Sequence, residues 1–347
     1  MVTLRFRRPV LRRLLAFLCV LATLAPSLHA QDASDKPKEL KLTTAVGPAF
    51  ALGKAGLRWA QLVAERSGGT LAVVLHPGAV LALRDPAREF AALRDGAADL
   101  AIGSTLNWSA QVNELAVIGL PWLAPEAKQL DALVIGTMKE RLIAAIARRG
   151  AVALAFAPLG HRELATVPKS VRTPDDLAGL RVRIVSTPFL IDLYARLRAL
   201  PQAMAFAAAQ AAFNAGTLDA QDGTPATFAA ARLDAVGVKH VTLWGAVAEV
   251  AVFAVNRAAW DGWTDNQRSL VSGAAQQAAQ ELPSLARAEN DAALAELRKR
   301  GLTIVRLTAT GRAAFAAAAR PVYDKWAGVA GDELVRAAEA AVKAETP

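Results

Sequence analysis

Two arginines on one short stretch raise the first chemical question. In "GLRVRIV" (179–185), Arg181 and Arg183 alternate with Val182 and Ile184, the spacing of one face of a strand. A guanidinium keeps its charge, and its planar donor fork fits a carboxylate. Such an arginine either reaches water, pairs with a structural acid, or awaits an anion. Ser186, Thr187 and Pro188 follow as a turn. That places Arg183 near a strand's carboxyl end, where open α/β sheets receive ligands. Arg181 reads as the solvated member.

Other chemistries find little support. Beyond residue 30 the histidines are His76, His161 and His240, at no metal-ligand spacing. Cys19 is the one cysteine, so no disulfide is available. There is no Gly-x-Ser-x-Gly elbow and no P-loop. Aromatic residues make up 6%, too few for an evident sugar-lined cleft. Basic residues are spread along helices without a stripe for nucleic acid. The reading is therefore a binding protein, not an enzyme, with no cofactor, no metal and no nucleic-acid partner.

The elements that position these residues follow from pattern. The chain has 347 residues, 54% of them hydrophobic, enough for two domains. Arg5, Arg7, Arg8, Arg12 and Arg13 precede the apolar run "LLAFLCVLATLA", and "SLHA" ends at Ala30. This predicts a signal peptide over 1–30 and an exported, periplasmic product. An uncleaved N-terminal anchor is the alternative. Cleavage would remove five arginines from the formal charge of +9, leaving +4. Residues 31–39 read as a disordered lead-in.

Strands are expected at 40–46, 70–78, 98–104, 151–158, 179–185 and 202–206. Amphipathic helices separate them, so the fold class is α/β with a largely parallel sheet. The segment 207–223 reads as a helix with a Gly216 stop and a polar exit. "HVTLWG" and "VAEVAVFAVN" read as two strands, and a long helical region from 260 to about 300 is interrupted at Pro283. A last strand and two alanine-rich helices finish the chain.

Several segments in this order resemble the DctP-type solute-binding proteins of TRAP (tripartite ATP-independent periplasmic) transporters. They are "WAQLVAERSGGTLAVVLHPGAVL", "EFAALRDGAADLAIGS", "GLPWL", "TPDDLAGLRVRIVSTP", "AFNAGTLDAQDGTP" and "RPVYDKWAG". The resemblance implies a two-lobed periplasmic-binding-protein fold with crossing strands and a long bridging helix. Lobe I would hold 40–158 plus 246–288. Lobe II would hold 159–245 plus 289–347, with the C-terminal helices.

The resemblance also implies a small organic acid captured in the cleft and delivered to TRAP-type integral membrane permease subunits. Arg183 would pair with the ligand carboxylate, with Arg162 as a second contact. Phe206 would line the pocket, as would Gln221 and Asp222, which could instead be structural caps. Here "DAQDG" places Gly223 where relatives carry an asparagine, removing an amide and enlarging the pocket. Ser104 and Trp108 would meet the ligand from the other lobe, although a tryptophan is as readily core. Glu249, in an apolar strand, fits either a cleft residue or a hinge pair. Two rivals remain: a receptor feeding a periplasmic sensor, and a secreted hydrolase with an acid pair.

Overall fold

The computed structural model describes residues 36–345. The expected signal peptide lies outside the described residues. Among the described residues nine strands form one mixed sheet: β1 (Lys38–Thr44), β2 (Leu71–Pro77), β3 (Leu100–Ser104), β4 (Ala151–Thr166), β5 (Arg181–Ile184), β6 (Leu200–Ala203), β7 (Ala220–Gly223), β8 (His240–Asn256) and β9 (Thr303–Arg306). Their order is β2-β1-β3-β8-β4-β7-β5-β6, with β9 against β8. β1 begins inside the expected lead-in, because Lys38 and Glu39 already pair with β2.

The two flanks are parallel, as the strand–helix alternation predicts. The centre is antiparallel, where β4 and β8 run beside each other for their whole length. β4 continues past Pro158 through Arg162, and the two strands read in 240–256 are one of 17 residues. The break between them is a bulge: Arg162 pairs with Val247 and Leu164 with Thr242, leaving Leu243–Ala246 opposite Glu163. The Glu163 carboxylate fills this bulge, accepting from Trp244 N at 2.7 Å and Gly245 N at 3.1 Å. Burial pushes it up to about 7, although those two amides pull it down.

The polar exit read after Gly216 is β7, fully buried between β4 and β5. Its polar residues hid a strand because they serve a buried network instead of solvent. The helix Asp265–Lys299 runs unbroken through Pro283. One interior proline costs about 3 kcal/mol. The buried face of Val271, Ala274, Ala275, Ala278 and Leu282 offsets it by packing on the first half of the sheet. The last two helices, expected with lobe II, contact both halves. Ala309–Ala330 packs on residues 113–119 and on helix Pro188–Arg196, and Asp332–Ala344 packs on helices Ala127–Ala132 and Gly136–Arg148.

Candidate functional site

The parallel strands end on a common rim, and a cavity of about 420 Å³ opens there. Val46 follows β1, Ser104 ends β3, Val185 follows β5 and Gly223 ends β7, and all four line it. This is the side of the sheet where open α/β folds hold ligands. Arg162 of β4 and Glu249 of β8 reach it from the crossing strands, and Ala286, Glu289 and Asn290 from the long helix.

Arg183 is 4% exposed and lines the cavity. Its Nε and Nη2 both donate to the Met204 carbonyl, at 3.1 and 2.9 Å. A guanidinium has five N–H groups, so three remain, including one on each terminal nitrogen. Those two form an end-on fork of the shape a carboxylate accepts. No ion pair among the described residues involves Arg183. Burial, then the like charge of Arg162, lowers its pKa to about 10, while Asp222 opposes the shift. The side chain thus stays charged at neutral pH without a carboxylate beside it. Phe206 lies 5.9 Å from this guanidinium.

Arg162 sits in the opposite situation. Its Nε pairs with Asp222 Oδ1, its Nη1 with Glu249 Oε2 at 3.1 Å, and its Nη2 reaches the Asp222 carbonyl at 3.4 Å. Burial disfavours its charge, but the two carboxylates outweigh burial and raise the pKa. The network extends at both ends. Tyr194 Oη donates to Asp222 Oδ2 at 2.9 Å, and Ser104 Oγ donates to Glu249 Oε1. Ser104 Oγ also caps the next helical turn, accepting from Leu106 N and Asn107 N. One buried polar chain therefore ties β3, β8, β4, β7 and helix Pro188–Arg196 together beneath the cavity.

The structure brings Arg183, Arg162, Phe206 and Ser104 of the predicted residues to the cavity wall. Gln221, Asp222 and Trp108 are not on it. Asp222 is fully buried as the Arg162 partner. Gln221 is equally buried, with neither side-chain atom hydrogen-bonded. The Trp108 ring lies on Gly103, where an added Cβ would sit 2.0 Å from it, and packs edge-on against Phe90 at 5.1 Å. Phe206 does not close a strand. It opens the helix Phe206–Asn214, three residues beyond the end of β6. Glu249 lines the cavity and pairs with Arg162.

Gly223 does not enlarge the pocket. A Cβ there would meet Thr227 Oγ1 at 2.7 Å and the Phe228 ring at 3.1 Å, so the helix Pro225–Ala230 already fills that space. Sequence reasoning missed Asn107, Glu289 and Asn290 on the wall. Glu289 and Asn290 sit in the long helix with an ordinary polar-face pattern. Their tertiary partners alone mark them: Glu289 Oε2 accepts from Ala51 N at 2.7 Å, and Asn290 Oδ1 from Ala226 N at 3.2 Å.

Comparison with known proteins gives consistent findings. Residues 43–328 match the family model of the bacterial extracellular solute-binding proteins, family 7 (DctP). A C4-dicarboxylate-binding periplasmic protein of Rhodobacter capsulatus is 28% identical, covering 95% of this chain and 98% of that one. A solute-binding protein of Verminephrobacter eiseniae is 29% identical, covering 81% and 83%. A TRAP periplasmic solute-binding protein from Ralstonia eutropha, solved with bound (S)-2-acetolactate, superposes with a TM-score of 0.85 at 39% identity. That match covers 88% of this chain and 99% of the other.

Proposed function

The chain belongs to family 7 of the bacterial extracellular solute-binding proteins, and on that premise we propose that it is a periplasmic receptor for a small organic carboxylate. The observation that carries this reading is the free end of Arg183 in a largely apolar cavity. The ligand carboxylate docks on its two terminal nitrogens. Arg162 is a positioning residue, held by two acids, that fixes the floor beside the fork. Phe206 walls the guanidinium on the outer side.

The working cycle is closure of two lobes, 40–158 plus 246–288 and 159–245 plus 289–347. β4 and β8 cross between them, with the Glu163 bulge as the point of bending. The long helix supplies Glu289 and Asn290 to the same cavity. A ligand shifts such an equilibrium only by its differential affinity for the two states. Contacts from both lobes give that difference. The liganded form then delivers its cargo to TRAP-type membrane permease subunits, and the N-terminal signal peptide accounts for export. The relatives support a carboxylate as cargo: one is named for C4-dicarboxylates and one holds acetolactate, a branched hydroxy-oxo acid.

Purified protein lacking residues 1–30 tests the reading. Thermal melts are run with (S)-2-acetolactate, succinate and other short acids, because a ligand of the folded state raises apparent stability. A rise with at least one acid, and isothermal titration at one site, is the expected result. No shift with any organic acid, or turnover of an ester or glycoside panel, would refute it.

A further inference from the structure

Five charged side chains line the cavity: Arg183, Arg162, Arg84, Glu249 and Glu289. They do not offer themselves equally. Arg162 already faces Asp222 and Glu249. Arg84 is exposed at the mouth, where water screens any ion pair it makes. That leaves Arg183 as the buried cation on the wall whose fork is open. Against it stand two wall carboxylates. Glu249 is 8% exposed and accepts from Arg162 and Ser104. Glu289 accepts from the Ala51 amide.

The buried charges sum simply. Arg162 with Asp222 and Glu249 carries one net negative charge, and Arg183 brings the cluster to neutrality. One ligand carboxylate on Arg183 uses the whole positive capacity. A second would find no open buried guanidinium, and Glu249 or Glu289 would be its charged neighbour. Much of the rest of the wall is apolar, with Val46, Leu52, Leu159, Val185 and Ala286 among its members, and Thr224, Thr227 and Asn290 are its other polar side chains. The Asn107 side-chain amide remains to meet an uncharged oxygen, the Ser104 hydroxyl being taken by Glu249 and the Leu106 and Asn107 amides.

Resting on the receptor reading above, we propose that this site is selective for monocarboxylates with a small apolar body, and that Glu249 is the specificity-determining residue that rejects a second carboxylate. Charge placement of this kind discriminates by repulsion as well as by attraction. Glu249 does so while being held rigid. Arg162 and Ser104 fix both of its oxygens, so it cannot turn aside for an incoming anion.

A matched ligand pair tests this by isothermal titration at pH 7.5. 2-Hydroxy-2-methylbutanoate and 2-hydroxy-2-methylbutanedioate differ by a methyl group exchanged for a carboxylate. The wild-type protein is expected to bind the monocarboxylate at least about tenfold more tightly, since like charges at close range cost several kcal/mol. Glu249→Gln keeps the shape and an oxygen that accepts from Arg162, with its amide nitrogen donating to Ser104 Oγ in place of accepting from it, and is expected to narrow the ratio to about threefold or less, chiefly by strengthening the diacid. Glu249→Thr, a β-branched residue suited to the strand, serves as the second variant, with circular dichroism and melting confirming the fold of each. Equal or tighter binding of the diacid by the wild-type protein overturns the proposal, as does an unchanged ratio in a folded variant. Failure of every acid to bind is a different result. It overturns the receptor reading and this inference with it.

Discussion

Arg183→Ala separates what the cavity is for from what holds it together. The guanidinium is buried, and its pKa is lowered from the ordinary arginine value to about 10 by burial and by Arg162. Holding that charge buried without a carboxylate partner therefore costs on the order of 3 kcal/mol. Removing it relieves that cost in the unliganded protein. The two bonds to the Met204 carbonyl and the alkyl packing are lost in exchange. The unliganded variant is expected to melt at or above the wild-type temperature. Ligand binding goes the other way. Truncating one partner of a buried, charge-assisted pair costs about 2–5 kcal/mol. That is a loss of about 30- to 5,000-fold in affinity. Arg183→Lys keeps the charge but not the fork, and is expected to fall between. Titration calorimetry with 2-hydroxy-2-methylbutanoate and (S)-2-acetolactate reads the affinity, and calorimetric melting of the same samples reads stability. If Arg183→Ala binds the ligand as tightly as the wild-type protein, the carboxylate does not dock on this fork and the reasoning fails.

Arg162→Ala should behave differently, because it strands Asp222 and Glu249 as buried, uncompensated charges. A loss of about 3–5 kcal/mol in urea unfolding is expected, and a stable variant would show that the network is dispensable. Stability should also fall with rising pH. Burial raises Glu89 to about 8 and Glu163 to about 7, above the ordinary 4.5. The folded protein therefore keeps protons that the unfolded chain releases. Stability is complete below 4.5 and declines by up to about 1.4 kcal/mol per pH unit per group until each folded value is passed. Glu89→Gln and Glu163→Gln should each flatten the melting profile between pH 5 and 8, and a wild-type profile flat over that range contradicts the assignment. Gly223→Asn, which restores the side chain of relatives, should cost about 1–3 kcal/mol through its clash with Thr227 and Phe228, and unchanged urea unfolding would show that the helix can yield.

The sequence by itself determined most of the local architecture. Alternation at Arg181–Ile184 predicted β5, and the turn at Ser186, Thr187 and Pro188 predicted where it ends. These signals are legible because periodicity and turns act over a few residues. The order of short segments identified the family for the same reason. Arg183 could be nominated because its strand ends at a turn.

What only the tertiary structure decided is how each polar residue is satisfied. Arg162 and Arg183 look alike in the chain, yet one meets Glu249, 87 positions away, and Asp222, 60 positions away, while the other keeps an open fork. Pairing at such separation depends on the register of β4 against β8, which no local pattern encodes. Long-range pairing also joins two expected strands into β8 and places a polar tail between β4 and β5 as β7. Helix packing brings Glu289 from a distant segment to the cavity. Local sequence sets which residues carry charge. The fold sets which of those charges are already neutralised, and that difference makes a binding site.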